Sequence, residues 1–177
     1  MASYYYLVAS LPALRYDGVL PFSTEAFLVQ CKTQVSPHHY QLLETALAGT
    51  PSTQHFLNSY QNFAQMVKKE LTEQRSRKLG LNDPSYRNDA DKEARISESV
   101  RQALASDDVL QAEMMLIALH WKFLDDLSAL HVFDIEGLLA YALKLAILER
   151  KSLFTQEEGN AEFKRLFSNI QSQIENS

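Results

Sequence analysis

The chain has 177 residues, of which 46% are hydrophobic and 22% charged, and carries a formal net charge of -5. That length supports a real core, burying about 70% of the surface the unfolded chain exposes, and the composition is that of a globular protein, not a disordered one. The single cysteine, Cys31, excludes an intrachain disulfide and a zinc site built from several thiolates, and the acidic balance leaves no footprint for nucleic-acid binding.

Met1 to Leu14 is free of charge, but three tyrosines stand where a signal peptide needs basic residues, so no secretory leader is read. Tyr4 to Leu11 is read as a short helix stopped by Pro12, and Arg15 to Gly18 as a turn. Ser23 or Thr24 caps a helix running to about Thr33 that buries Ala26, Phe27 and Cys31. The segment His38 to Ala48 carries Tyr40, Leu43 and Leu47 on one stripe and stops at Gly49. A long helix then runs from about Ser52 to Leu79, its stripe formed by Phe56, Tyr60, Phe63, Val67 and Leu71 and extended in steps of four to Arg75 and Leu79.

The stretch 81–91 is polar, contains Pro84, and reads as a linker between an N-terminal lobe (1–80) and a C-terminal lobe (92–177). Beyond it there is no proline. Lys92 to Ala105 places Ile96, Val100 and Leu104 at helical spacing. Ser106-Asp107-Asp108 caps a helix to about Leu130, with a broad apolar face that includes Leu116, His120, Trp121 and Leu124. Asp134 caps Ile135 to Lys151, whose most apolar part, Ile135 to Leu148, is interrupted by Glu136 and Lys144 and is shorter than the roughly 20 residues a spanning helix needs, and Phe163, Leu166, Phe167 and Ile170 mark a last amphipathic helix. The expected fold is all-α, an irregular bundle of six to seven helices in two lobes.

No catalytic constellation emerges. The five glycines are scattered singly, so no loop cradles a phosphate. The five histidines lack metal-ligand spacing, and no glutamate has a histidine three residues later, which excludes the di-iron bundle signature. Asp125 and Asp126 diverge by about 100° on a helix and cannot address one atom together. The basic group Lys68, Lys69, Arg75, Arg77 and Lys78, interleaved with Glu70 and Glu73, reads as a solvated helix end favoured by the helix dipole. Neither an enzyme activity nor a cofactor is expected.

Two stretches carry a resemblance. Tyr4-Tyr5-Tyr6-Leu7-Val8-Ala9-Ser10-Leu11-Pro12 resembles the start of an uncharacterised bacterial family encoded within V-type ATP synthase operons. The block from Trp121 to Leu127, then His131-Val132-Phe133-Asp134, then Leu138 to Arg150 is similar to that family's C-terminal signature, and Arg75 to Gly80 fits its basic helix end. The family usually has an aromatic after the Glu-Arg pair, where this chain has Lys151. The opening Tyr-x-Tyr-x-x-Ala is also similar to the start of the central-stalk funnel of V-type ATPases, the helical component that seats the rotor stalk on the membrane ring.

The resemblance implies a non-catalytic, cytoplasmic protein, peripheral to the inner membrane through the ATPase complex. It would act as a funnel-like connector between rotor stalk and membrane ring, at about half the usual size. Its alternatives are a transient assembly or regulatory factor of that ATPase, or a small helical ligand-binding protein with a pocket lined by Trp121, His120 and Tyr141. Within the stalk reading, Arg75 is expected to pair with Glu149, Asp134 or Asp125 across the helix packing. Arg77, Lys78 and an exposed member of Tyr4, Tyr5 and Tyr6 are expected to face the partner.

Overall fold

The computed structural model describes residues 3–81, 83–87 and 93–175, without the side chains of 156–160, 162–163 and 166–175. Among the described residues the chain forms seven α-helices and no strand: α1 (Tyr5–Ser10), α2 (Thr24–Cys31), α3 (Pro37–Ala48), α4 (His55–Lys78), α5 (Ala94–Ala105), α6 (Val109–Leu127) and α7 (Ile135–Glu175). A 3-10 turn, Pro84–Tyr86, lies in the polar stretch after α4. The remainder of that stretch, Asn82 and 88–92, lies outside the described residues, as do the side chains of Phe163, Leu166, Phe167 and Ile170.

The helix ends follow local chemistry. The Ser23 hydroxyl accepts from the Ala26 amide at 3.1 Å and opens α2. Gly49 closes α3 at φ 67°, a left-handed conformation glycine adopts without strain. Asp108 accepts from the Leu110 and Gln111 amides at the start of α6. The apolar spacing buries what the pattern predicts in most places: Phe27 and Cys31 in α2, Leu43 in α3, Phe63 and Val67 in α4, Ile96 and Val100 in α5. Leu79, at the end of the long helix, is 74% exposed, and Ala26 is a second exception. It is exposed, because it sits about 100° round α2 from Phe27.

Two hydrophobic cores result. The first gathers α1, α2, α3, the opening of α4, the end of α6 and α7 around Phe27, Leu43, Phe56, Leu124, Leu138 and Leu145. The second is built by the middle of α4 with α5 and α6, around Phe63, Val67, Val100 and Leu119. These cores do not divide the chain at 81–91. Helices α2 and α3 pack on α7, and α4 packs on α5, so each core draws from both sides of the linker.

A single helix of 41 residues replaces the two expected after Asp134. Gly159 lies inside it, which costs a helix interior only about 1 kcal/mol relative to alanine and does not stop it. No helix among the described residues is long and apolar enough to cross a membrane.

Candidate functional site: an aromatic corner on the first helix

The N-terminus is pinned before α1 begins. The Tyr4 amide donates to the Phe133 carbonyl at 2.6 Å, and the buried Tyr4 ring brings its hydroxyl to 2.5 Å from His39 Nδ1. Leu7, three residues on, is buried on the same face. With Tyr4 and Leu7 facing inward, the roughly 100° per residue of an α-helix turns Tyr5 and Tyr6 outward. Tyr6 is 86% exposed and Tyr5 53%. The Tyr5 ring packs against Phe133 at 4.9 Å and edge-on against Tyr6 at 5.5 Å.

The facing surface is the loop between α6 and α7, which exposes Leu130 (92%), Val132 (56%) and Phe133. It is held from beneath. The Ser128 hydroxyl donates to the Leu124 carbonyl, the His131 amide donates to the Ser128 carbonyl, and the His131 ring meets Phe56 edge-on. His131 Nδ1 donates to Asp134 Oδ2 at 2.6 Å, while Asp134 Oδ1 accepts the Gly137 amide at the start of α7. Partial burial pushes the Asp134 carboxyl up, but the hydrogen bonds from His131 and Gly137 outweigh it and hold it below its ordinary value. Gly137 is required there, since a Cβ would stand 2.9 Å from the Val132 carbonyl oxygen. The corner is therefore a pre-ordered apolar surface made from two segments far apart in sequence.

His131, Asp134 and Glu136 bring ligand-type atoms within 4.8 Å of one another. Both Asp134 oxygens are already occupied, and Glu136 accepts from Gln54 at 3.2 Å. The trio does the work of a helix cap and loop clamp.

The ion pairs differ from the sequence expectation. Arg75 is exposed and makes no ion pair among the described residues. Successive steps of four each advance the position by about 40° beyond a full turn, so the extrapolated stripe walks off the buried face. Gln74, about five turns on from Phe56, is the residue back in line, and its amide donates to Glu70 at 2.6 Å and to the Ser97 carbonyl of α5 at 3.0 Å.

The three carboxylates expected to meet Arg75 are engaged elsewhere. Glu149 accepts from the Thr24 hydroxyl at 2.7 Å, at the start of α2, where a negative charge suits the helix dipole. Asp134 holds the start of α7, and Asp125 pairs with Lys144 at 2.5 Å. Lys144 in turn lies 5.5 Å from the Trp121 ring centre. Arg77 pairs with Glu73 along its own helix, and Lys78 donates to the Leu104 carbonyl at the end of α5, so each has an internal partner.

Trp121 packs edge-on with Tyr16, Tyr141 lies against Phe27 in the first core, and His120 against Phe63 in the second. The three side chains thus belong to different surroundings. Lys151 sits over the Tyr16 ring at 4.1 Å and donates to the Tyr16 carbonyl. Cys31 is fully buried, and burial pushes its thiol up to about 12, far from a nucleophile's range. Of the three tyrosines expected to offer a partner contact, Tyr4 is buried and two, Tyr5 and Tyr6, are exposed; the loop they meet is not among the expected site residues. The available cue is four residues, Leu130 to Phe133, that are mostly apolar yet lie between a helix stop and a cap.

Residues 98–174, spanning most of α5, all of α6 and nearly all of α7, match the model of a family described as a protein of unknown function (DUF2764). No curated protein matches the chain, and no solved structure does.

Proposed function

We propose that the protein is a non-catalytic part of a V-type ATP synthase, a reduced counterpart of the central-stalk funnel that joins rotor stalk to membrane ring at the cytoplasmic face, and that it docks through the aromatic corner. One observation carries the reading. The two stretches on which the resemblance rests, Tyr4–Pro12 and the block from Trp121 to Arg150, touch at that corner, where His131–Asp134 of the block meets the first stretch through the Tyr4–Phe133 backbone bond and the Tyr5–Phe133 ring contact. An exposed aromatic cluster on a rigid base has the makings of an interface hot spot. The family match over residues 98–174 takes in the Trp121–Arg150 block of the resemblance.

The test is co-purification of the tagged protein from gently solubilised membranes. Rotor and ring components are expected at fixed stoichiometry. Tyr6→Asp and Val132→Asp, both at exposed positions, are expected to reduce recovery about tenfold or more, as loss of a hot-spot residue does. Full recovery with both variants would remove the corner as the docking surface. Recovery of the protein alone, from cells with an intact ATPase, would defeat the stalk reading and leave a transient assembly role.

A further inference from the structure

A cleft of about 280 Å³ opens between α4, α6 and α7, well apart from the aromatic corner, which meets α4 at its opposite end. Three cations line it, Lys68, Arg75 and Arg150, against one acid, Glu113. Glu113 is paired with Arg150, whereas neither Lys68 nor Arg75 makes an ion pair among the described residues. Two uncompensated positive charges therefore share one concave site in a chain whose net charge is -5. The cleft also has an apolar side, given by Val67 and Ile117.

We infer that this cleft binds a carboxylate carried on a short aliphatic stem. The guanidinium of Arg75 offers a planar fork that matches a carboxylate, and Lys68, seven residues earlier on α4, adds a mobile point charge to the same cleft. The apolar side favours a methylene stem, which inorganic phosphate lacks. The volume lies below the roughly 300–1,000 Å³ of drug-sized ligand sites, so the occupant is small. His120 reaches the cleft from beneath and remains neutral near pH 7, because burial, helped by Arg150, holds its pKa down to about 4. It adds no competing charge and serves as a reporter. The same chemistry is available from a free acid or from an acidic side chain of a bound partner. The inference stands on the cleft alone and is independent of the docking corner.

The experiment is an NMR titration of the intact protein with butyrate, and separately with inorganic phosphate, following the Arg75 and Arg150 side-chain signals and the His120 ring. Butyrate is expected to shift all three saturably. Lys68→Gln and Arg75→Gln, both at exposed sites, are expected to raise the dissociation constant about fivefold or more each through the lost charge-assisted contact. Saturation in the micromolar range would identify a free acid as the source, and in the millimolar range a side chain presented by a partner. Absence of a saturable shift, a shift indifferent to both variants, or tighter binding of phosphate than of butyrate would overturn the inference.

Discussion

Replacing Phe63 by alanine is expected to destabilise the fold by about 3–5 kcal/mol, the range for deleting a buried aromatic side chain. Phe63 is fully buried in the second core, stacks on Phe123 at 3.9 Å with nearly parallel planes, and meets the His120 ring edge-on at 5.3 Å. It joins α4 to α6 where the second core is narrowest in large side chains: its other buried members are Val67, Ile96, Val100, Ala103, Leu116 and Leu119. Urea denaturation would show the loss as a lower midpoint with an unchanged slope. A loss below about 1 kcal/mol would mean that the core closes over the gap, contrary to this packing.

Acid is expected to remove a comparable amount of stability through one side chain. His120 is partly buried against Phe63 and Tyr60, its Nδ1 3.2 Å from the Tyr60 hydroxyl. Burial, and secondarily the charge of Arg150, lower its pKa from 6.5 to about 4. Unfolded chains therefore bind a proton that folded chains refuse between those values, so stability rises with pH across this window. The His120 contribution is fully present above pH 6.5 and is lost as pH falls toward 4, a change on the order of 3 kcal/mol. Asp134, held below its ordinary 3.8, loses its contribution only at lower pH, so the two effects separate. Unfolding free energies at pH 7 and pH 4.5 should differ strongly in the wild type and much less in His120→Gln. An equal pH dependence in both proteins would locate the acid sensitivity elsewhere. Phe63→Ala, by admitting water to His120, should also flatten the profile, so the two substitutions are not expected to be additive.

The elements that local rules govern are legible in the sequence. Ser23, Gly49 and Asp108 bound helices by bonds to residues close by in the chain, and the stripes of α3, α5 and α6 turn inward the side chains that their spacing selects, Leu43, Val100 and Leu124 fully buried and Tyr40, Leu47 and Leu104 partly so. What escapes depends on phase or on distance along the chain. Arg75 leaves the buried face because consecutive steps of four accumulate an angular error that a helix of 24 residues makes visible. The Glu149–Thr24 and Lys144–Asp125 contacts join helices whose packing no periodicity specifies. The length of α7 is hidden because Arg150 and Lys151 suit a helix C-terminus by their charge, whereas the helix continues through them to Glu175. The aromatic corner is half visible: a run of three tyrosines cannot be wholly buried on one short helix, but the partner loop is more than a hundred residues away.

The most direct test of the proposed docking at the aromatic corner is site-specific photo-crosslinking in intact cells, with a benzophenone amino acid at position 6 and, as control, at position 29. Tyr6 and Val29 are both exposed, but only Tyr6 belongs to the corner. If the corner docks as proposed, position 6 crosslinks to a rotor-stalk or ring component of the V-type ATP synthase and position 29 does not. Crosslinks to that complex from position 29 alone, or from neither position, would contradict the proposed docking.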